Sequence, residues 1–185
     1  MLPAQVAESY DRIAARWASP SFDRSQGMAQ HKRALGFTSH RGAALDVGCG
    51  SSGRFLDLFG SEGFAAEGLD ISSEMLRLAR EAYPQFTFHQ ADICDWTAQT
   101  SYDFISAWDS IWHVPLPKQH YVLLKLCAAL SIGGATIFTA GGVETPGEVQ
   151  DAHMGLPMYH ASLGVARICA YFSDRGRPFQ SDRGR

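Results

Sequence analysis

A chain of 185 residues is long enough to bury one sizeable hydrophobic core, and 45% hydrophobic with 19% charged residues is the composition of an ordinary globular domain. The formal charge is −3 and no Lys- or Arg-rich block interrupts the body of the chain, which argues against a broad nucleic-acid surface. No stretch approaches the ~18 apolar residues of a membrane span and no secretory signal pattern opens the chain, so we expect a cytoplasmic protein that binds neither nucleic acid nor membrane.

The cysteines and histidines do not predict a metal site or a disulfide framework. The four cysteines lie far apart without a C-x-x-C pair, which indicates reduced thiols. The seven histidines contain no i, i+3 or i, i+4 pair of the kind that binds a metal on one helix. We therefore expect no bound metal.

Residues 1–40 are predicted to form a helical lead-in ahead of the main domain. Apolar residues that recur at helical spacing predict an amphipathic helix over 4–18, which Pro20 ends. A poorer helical pattern covers 25–37.

From residue 43 onward, short apolar runs alternate with helical stretches. Five of the runs are predicted strands: Ala43–Val47, Phe64–Leu69, Phe86–His89, Tyr102–Trp108 and Ala135–Thr139. Ser72 is a predicted helix N-cap, Pro117 suits the first turn of a helix, and Gly133-Gly134 is predicted to close that helix. The alternation predicts an α/β domain over 41–172 with a Rossmann-like, doubly wound, mainly parallel sheet and helices on both faces.

Residues 45–53, LDVGCGSSG, have the G-x-G-x-x-G spacing of a dinucleotide loop, but Asp46 stands two residues before the first glycine. Asp70, Asp92 and Asp109 stand at or shortly after the ends of three further strands, where such sheets bind their ligands. A carboxylate beside the loop repels a pyrophosphate and attracts the sulfonium and ammonium groups of S-adenosylmethionine. One unit charge pair ~4 Å apart contributes about 4 kcal/mol at an effective dielectric of 20. The charge therefore favours S-adenosylmethionine over NAD.

The ordered set LDVGCGSSG, GLDIS (68–72) and QADICDW (90–96), preceded by SYDRIAARW, resembles the class I S-adenosylmethionine-dependent methyltransferases of the small-molecule, quinone-biosynthesis-like type. The resemblance runs from about residue 9 to about residue 142. It implies methyl transfer to an O, N, S or C atom of a small-molecule acceptor. The segment WDSIWHVP (108–115) lacks the Asn/Asp-Pro-Pro-aromatic motif associated with methylation of nucleobases.

The resemblance also implies which residues bind the cofactor. They are Asp46, Gly48 and Gly50 at its methionyl and ribose portions, Asp70 at both ribose hydroxyls, Ile71, Asp92 and Ile93 at the adenine, the Trp108 backbone at the methionyl ammonium, and Tyr10 as a closing group. An alternative for Tyr10 is an ordinary core aromatic on the face of its helix.

His113 is the candidate catalytic base, because an ordinary histidine pKa of about 6.5 lets it accept a proton near neutrality. A structural role in the loop is the alternative. Residues 141–160 are interpreted either as a substrate lid or as a surface loop.

The C-terminal part departs from the family pattern, which usually adds two further strands. We expect a sheet without those final strands, a helix over Leu163–Phe172, and a disordered tail over 173–185, in which SDRGR occurs twice. The open edge of the fifth strand predicts a homodimer. Because of this unusual C-terminal part, the alternative function is a catalytically weakened cofactor-binding or interaction protein. An NAD-dependent oxidoreductase is a more distant alternative.

Overall fold

The structure, a computed structural model, describes residues 1–173. Five strands form the central sheet: β1 (Ala43–Val47), β2 (Ala65–Asp70), β3 (Thr87–Gln90), β4 (Tyr102–Ala107) and β5 (Leu130–Phe138). They lie in the order β3-β2-β1-β4-β5, and every neighbouring pair is parallel. This confirms the predicted Rossmann-like, mainly parallel sheet. Within residues 1–173, no strand pairs with the outer side of β5.

Seven helices and one 3-10 turn accompany the strands in the described part of the chain. They are α1 (Pro3–Ile13), α2 (Ala15–Ala18), α3 (Met28–Leu35), α4 (Arg54–Ser61), α5 (Ser73–Ala82), the 3-10 turn η1 (Ile111–His113), α6 (Leu116–Ala128) and α7 (Val165–Ser173). The helix predicted over 4–18 is interrupted after Ile13. The tail predicted over 173–185 lies outside the described residues, except for Ser173 at the end of α7.

Successive side chains of a strand point to opposite faces of the sheet, and apolar side chains of the helices cover both faces. Leu45 and Val47 of β1 pack in one cluster with Leu126 of α6. Ala44, the residue before Leu45, packs in the other cluster with Phe59 of α4. The glycine loop and the strand ends are therefore fixed between two apolar layers.

Two of the local signals are confirmed and one is corrected. The Ser72 hydroxyl accepts a hydrogen bond from the Met75 N–H at the start of α5, and Pro117 lies in the first turn of α6. Gly133-Gly134 does not close α6, which ends at Ala128, but lies inside β5. The register between β4 and β5 shifts at this point, and Gly133 has a φ of 80°, so the glycines serve a strand irregularity.

The segment 141–160, interpreted as a lid or a loop, contains most of a β-hairpin. Strands β6 (Gly147–Asp151) and β7 (Met158–Ser162) pair antiparallel as a separate two-stranded sheet. Met158 of β7 packs with Val6 and Ile13 of α1 in a third apolar cluster. The hairpin and the N-terminal helix therefore form one layer above the carboxyl ends of the main sheet.

His31 joins α3 to the sheet from a fully buried position. Its Nδ1 lies 2.7 Å from the Gly27 carbonyl oxygen and its Nε2 lies 3.0 Å from the Ser106 hydroxyl. Its ring stacks on Phe55 at 3.7 Å between centroids. Burial lowers the pKa of His31 to about 4.

This burial predicts a pH-dependent contribution to stability. An unfolded histidine has a pKa near 6.5, so between pH 6.5 and 4 the unfolded state binds more protons and the His31 contribution falls as the pH falls. Because buried Asp46, whose pKa is raised, acts in the opposite direction, the measurable quantity is the difference between wild type and His31→Gln. We expect this difference in the free energy of unfolding to shrink by about 2 kcal/mol between pH 7 and pH 5 in urea titrations. Exposed His153→Gln is the control, and a difference that stays constant with pH would contradict the prediction.

Candidate functional site

A cavity of about 640 Å³ lies at the carboxyl ends of the parallel strands, within the usual size range of small-molecule sites. The glycine loop forms its floor, and α1, η1 and the β6–β7 hairpin contribute to its upper wall. All the site residues predicted from the sequence line it: Tyr10, Asp46, Gly48, Gly50, Asp70, Ile71, Asp92, Ile93, Trp108 and His113. The topology therefore brings together residues that are more than one hundred positions apart.

The backbone of the glycine loop requires glycine at two positions in particular. Gly48 has a φ of 73°, and a Cβ there would lie 2.4 Å from the Ser110 Cβ. Gly53 has a φ of 62°, and a Cβ there would lie 2.4 Å from the Tyr83 ring. Glycine is thus needed both for the turn and for the close approach of neighbouring segments.

The Asp70 carboxylate ties the loop to the start of α5. Its Oδ2 accepts from the Gly50 N–H at 2.9 Å, and its Oδ1 accepts from the Ser72 N–H at 2.8 Å. Burial raises the pKa of Asp70, while these backbone hydrogen bonds oppose that shift. A carboxylate offers about four acceptor positions, so two backbone donors leave further acceptor capacity on the cavity side.

Asp46 lies deeper, at the base of the cavity, with 3% of its surface exposed. Burial raises the pKa of Asp46 to about 7, and the polar Ser106 side chain and the charge of Arg54 limit the rise. A cation placed in the cavity would favour the ionised carboxylate. The site is therefore able to respond to a positively charged ligand.

Three buried donors that line the cavity have no hydrogen-bond partner among the described residues: Arg54 Nη1, Trp108 Nε1 and Ser110 Oγ. The Arg54 side chain is 9% exposed, and its other terminal nitrogen lies 3.7 Å from the Asp109 carboxylate. Buried donors of this kind normally have an acceptor, which can be a bound ligand or a water molecule. Arg54 was not predicted from the sequence, although its place directly after the glycine loop was the available signal.

Asp92 and Ile93 lie in the turn after β3, which a lysine stabilises. Asp92 Oδ1 accepts from the Cys94 N–H at 2.8 Å. Lys125 of α6 donates to the carbonyl oxygens of Ile93, Cys94 and Trp96, the last at 2.7 Å. The sequence offered no signal for Lys125, because its partners lie about thirty positions earlier in the chain.

The upper wall is held together by Tyr10 and His113. His113 Nδ1 lies 2.7 Å from the Tyr159 carbonyl oxygen, which can only accept, so Nδ1 carries the proton. Its Nε2 is then an acceptor, and both the Tyr10 hydroxyl (2.7 Å) and the Trp112 Nε1–H (3.1 Å) donate to it. Burial lowers the pKa of His113 to about 4.

The lead-in helix is also fixed from its other side. Asp11, the aspartate of the SYD sequence, accepts from the Ser72 hydroxyl at 2.6 Å and from the Glu74 N–H at 2.9 Å. Since Ser72 also donates its N–H to Asp70, the upper wall and the floor share one residue. This contact positions Tyr10 above the cavity.

Known proteins share this fold. Residues 44–134 match the model of a family described as methyltransferase domain. The structure of the DhpI–SAH complex is 18% identical, with a TM-score of 0.70 over 95% of this chain and 87% of that one. DesVI of Streptomyces venezuelae is 17% identical, with a TM-score of 0.65 over 95% and 90% of the two chains. CalS10 of Micromonospora echinaspora, an amino pentose methyltransferase with SAM bound, is 21% identical, with a TM-score of 0.59 over 75% and 61%.

These findings confirm the resemblance to the class I methyltransferases and their fold. Among residues 1–173, no helix is long and apolar enough to cross a membrane, and no group of three His, Cys, Asp or Glu side chains is arranged to bind a metal.

The loop geometry predicts that Gly48→Ala destabilises the protein. The new methyl group would meet the Ser110 side chain and would force an L-residue into a left-handed conformation. We expect the free energy of unfolding to fall by about 3 kcal/mol in urea titrations. Gly142→Ala is the matched control, because a Cβ at Gly142 has nothing within 4 Å. Equal losses in the two variants would contradict the prediction.

Proposed function

We propose that this chain, which has the fold of the class I methyltransferases, transfers a methyl group from S-adenosylmethionine to a small-molecule acceptor. The observation that carries the proposal is the pairing of a glycine loop with two aspartates at the strand ends, the buried Asp46 and the half-buried Asp70. Glycines admit either a dinucleotide or S-adenosylmethionine, but the carboxylates disfavour a pyrophosphate. Solved complexes of similar fold, titled as holding SAM or SAH, add support.

The assignment of the cofactor to the cavity follows the resemblance. Asp70 would accept from the ribose hydroxyls with the acceptor capacity that its backbone donors leave. The adenine would lie among Ile71, Asp92 and Ile93, in the turn that Lys125 holds. The methionyl end would lie over Gly48 and Gly50, towards Asp46 and Trp108.

The donors without partners fit this cofactor. Its methionyl part carries a carboxylate, which can accept from Arg54, Trp108 Nε1 and Ser110 Oγ. Its ammonium and sulfonium groups carry positive charge, which Asp46 and Asp109 can balance. The cavity therefore offers both signs of charge that a methionyl group needs.

When bound, S-adenosylmethionine supplies an electrophilic methyl group, and the chain's own residues do the rest. The glycine loop and the aspartates orient the cofactor, and the upper wall made by α1, η1 and the hairpin excludes water. Holding two reactants in line is worth effective molarities of about 10⁵–10⁸ M in model systems. Positioning can therefore provide much of the acceleration.

We propose that His113 is a positioning residue. Both ring nitrogens are engaged, by the Tyr159 carbonyl oxygen on one side and by Tyr10 and Trp112 on the other. A base with a pKa near 4 is also weak at neutral pH. The catalytic role considered from the sequence requires His113 to release Tyr10 and Trp112 first.

The alternatives differ in what they bind. A catalytically weakened binding protein would hold the same cofactor without turnover, and an NAD-dependent oxidoreductase would hold a pyrophosphate at the loop. A small-molecule acceptor is favoured over nucleic acid because the charge is −3 overall and several of the cavity's titratable groups are acidic. We also propose a cytoplasmic protein, in keeping with the buried thiols of Cys49 and Cys94.

Calorimetry separates these alternatives. S-adenosylmethionine and S-adenosylhomocysteine are expected to bind, NAD is not, and Asp70→Ala is expected to weaken both by at least about tenfold because the loop and the ribose lose the same carboxylate. Asp95→Ala, whose side chain is 80% exposed and lies outside the cavity, is the control. NAD binding without a response to the other two ligands would refute the proposal.

A homodimer through β5 is proposed as the assembly. The outer side of β5 has no strand partner among residues 1–173, and Ile132 in this strand is 97% exposed. Exposed strand edges recruit other strands.

The assembly is tested by light scattering at micromolar concentration. We expect a dimer for the wild type and a shift towards monomer for Ile132→Lys, because a charge on the edge opposes pairing. Exposed Val149→Lys, on the β6–β7 hairpin, is the matched control. A wild-type monomer with slowly exchanging β5 amides would show that the chain covers its own edge.

A further inference from the structure

The β6–β7 hairpin carries a histidine–aspartate pair that the proposed cofactor site does not use. His160 on β7 has its Nδ1 3.3 Å from the Asp151 carboxylate on β6. The two side chains are 31% and 22% exposed, and the His160 ring lines the cavity. Within residues 1–173 the His160 Nε2 has no hydrogen-bond partner, so it is available to a ligand in the cavity.

His160 and His113 are neighbouring residues that differ in burial and in the hydrogen-bond partners of their ring nitrogens. Their ring centroids lie 4.9 Å apart. His113 has both nitrogens engaged and is buried, whereas His160 has one nitrogen oriented by a carboxylate and the other open. An oriented imidazole with one open nitrogen is the usual arrangement of a general base.

The wall around His160 is aromatic. Its ring lies 6.4 Å from that of Trp112, and the series of rings continues from His113 to Tyr10 (5.3 Å) and to Trp17 (5.5 Å). Offset and edge-on contacts of this kind suit a flat aromatic ligand.

We infer that His160 is the general base towards the methyl acceptor, that Asp151 is its positioning residue, and that the acceptor is an aromatic hydroxyl. The inference rests on the proposed function and adds to it the acceptor class and the base. An amine can attack with its lone pair and lose its proton afterwards. A phenol, with a pKa near 10 like that of tyrosine, gains most from a base that removes its proton during attack.

In the proposed methyl transfer, the acceptor oxygen forms a bond to the methyl carbon, and the carbon–sulfur bond breaks with its electron pair passing to sulfur. The hydroxyl proton passes to His160 Nε2, which leaves an imidazolium beside the Asp151 carboxylate. The products are the methyl ether and S-adenosylhomocysteine, and the imidazolium then releases its proton to solvent.

Several titratable and charged groups face this pair. Asp151 comes from β6 and His113 from η1, while Tyr10 and Arg16 of the N-terminal helices line the same cavity. His153, in the connection between β6 and β7, acts on Asp151. The backbone N–H of His153 and the nearby imidazoles hold the pKa of Asp151 below its usual range, which keeps it ionised.

The first test is a rate comparison with 4-methylphenol and 4-methylaniline, two probes of one shape that differ in the attacking atom. The release of S-adenosylhomocysteine and the mass of the methylated product are measured. We expect the phenol to be methylated, and His160→Gln to lower its kcat/KM about 100-fold with cofactor affinity by calorimetry within about twofold. Equal rates in wild type and His160→Gln, or methylation of the aniline alone, would overturn the inference.

Asp151 is tested by separating kcat from KM and by rescue with a conservative variant. Asp151→Asn should lower kcat about tenfold with the KM for the acceptor within about twofold, because the amide lacks the negative charge that stabilises the imidazolium formed in the step. Asp151→Glu should restore part of kcat, and His153→Gln, which keeps the backbone N–H that Asp151 accepts, is the matched control. An unchanged kcat in Asp151→Asn, or no recovery in Asp151→Glu, would overturn the positioning role.

If neither probe is methylated, binding of the phenol near His160 is measured instead. In ¹⁵N-histidine-labelled protein saturated with S-adenosylhomocysteine, 4-methylphenol should shift the Nε2 resonance of His160 more than that of His113, and urea titrations are used to check that His160→Gln and His160→Asn are folded. No response at His160 would overturn the inference. Failure of S-adenosylhomocysteine to bind would instead remove the proposed function, and the inference with it.

Discussion

The Asp70 carboxylate, held by the N–H groups of Gly50 and Ser72, is the contact on which the rest of the candidate site depends. It connects the glycine loop after β1 with the helix after β2, which the sheet brings to one edge. Ser72 extends the connection through its hydroxyl to Asp11, and so to the N-terminal helix. The Asp70 carboxylate thus connects the floor of the cavity with its upper wall.

The upper wall needs two segments that are distant in the chain. The hairpin is small and α1 has one apolar stripe, so each buries its apolar side chains against the other through Val6, Ile13 and Met158. The hydrogen bonds from Tyr10 to His113 and from His113 to the Tyr159 carbonyl oxygen lie across this junction. Substitution of any of these residues should therefore disturb the packing of the whole upper wall.

Charge is the costly element of the cavity. Asp46 and Asp109 both have raised pKa values because burial disfavours the ionised carboxylate, and Arg54 partly compensates them. Keeping such groups buried reduces stability unless they are paired. A ligand that supplies cations to the acids and a carboxylate to Arg54 would satisfy both sets together, which is why the methionyl group suits this site.

The sequence by itself determined the local features: the five parallel strands, the glycine loop, the Ser72 cap and the aspartates at the strand ends. Each depends on neighbouring residues or on a short period, so a pattern of a few residues is sufficient. Only the tertiary structure decided the contacts of His113, His160 and Arg54. Their partners lie elsewhere in the chain, and which nitrogen stays open depends on which strand or helix packs beside it. The hairpin was missed for the same reason, because its strands are short, β6 is polar, and the pair is stabilised by packing of β7 on α1.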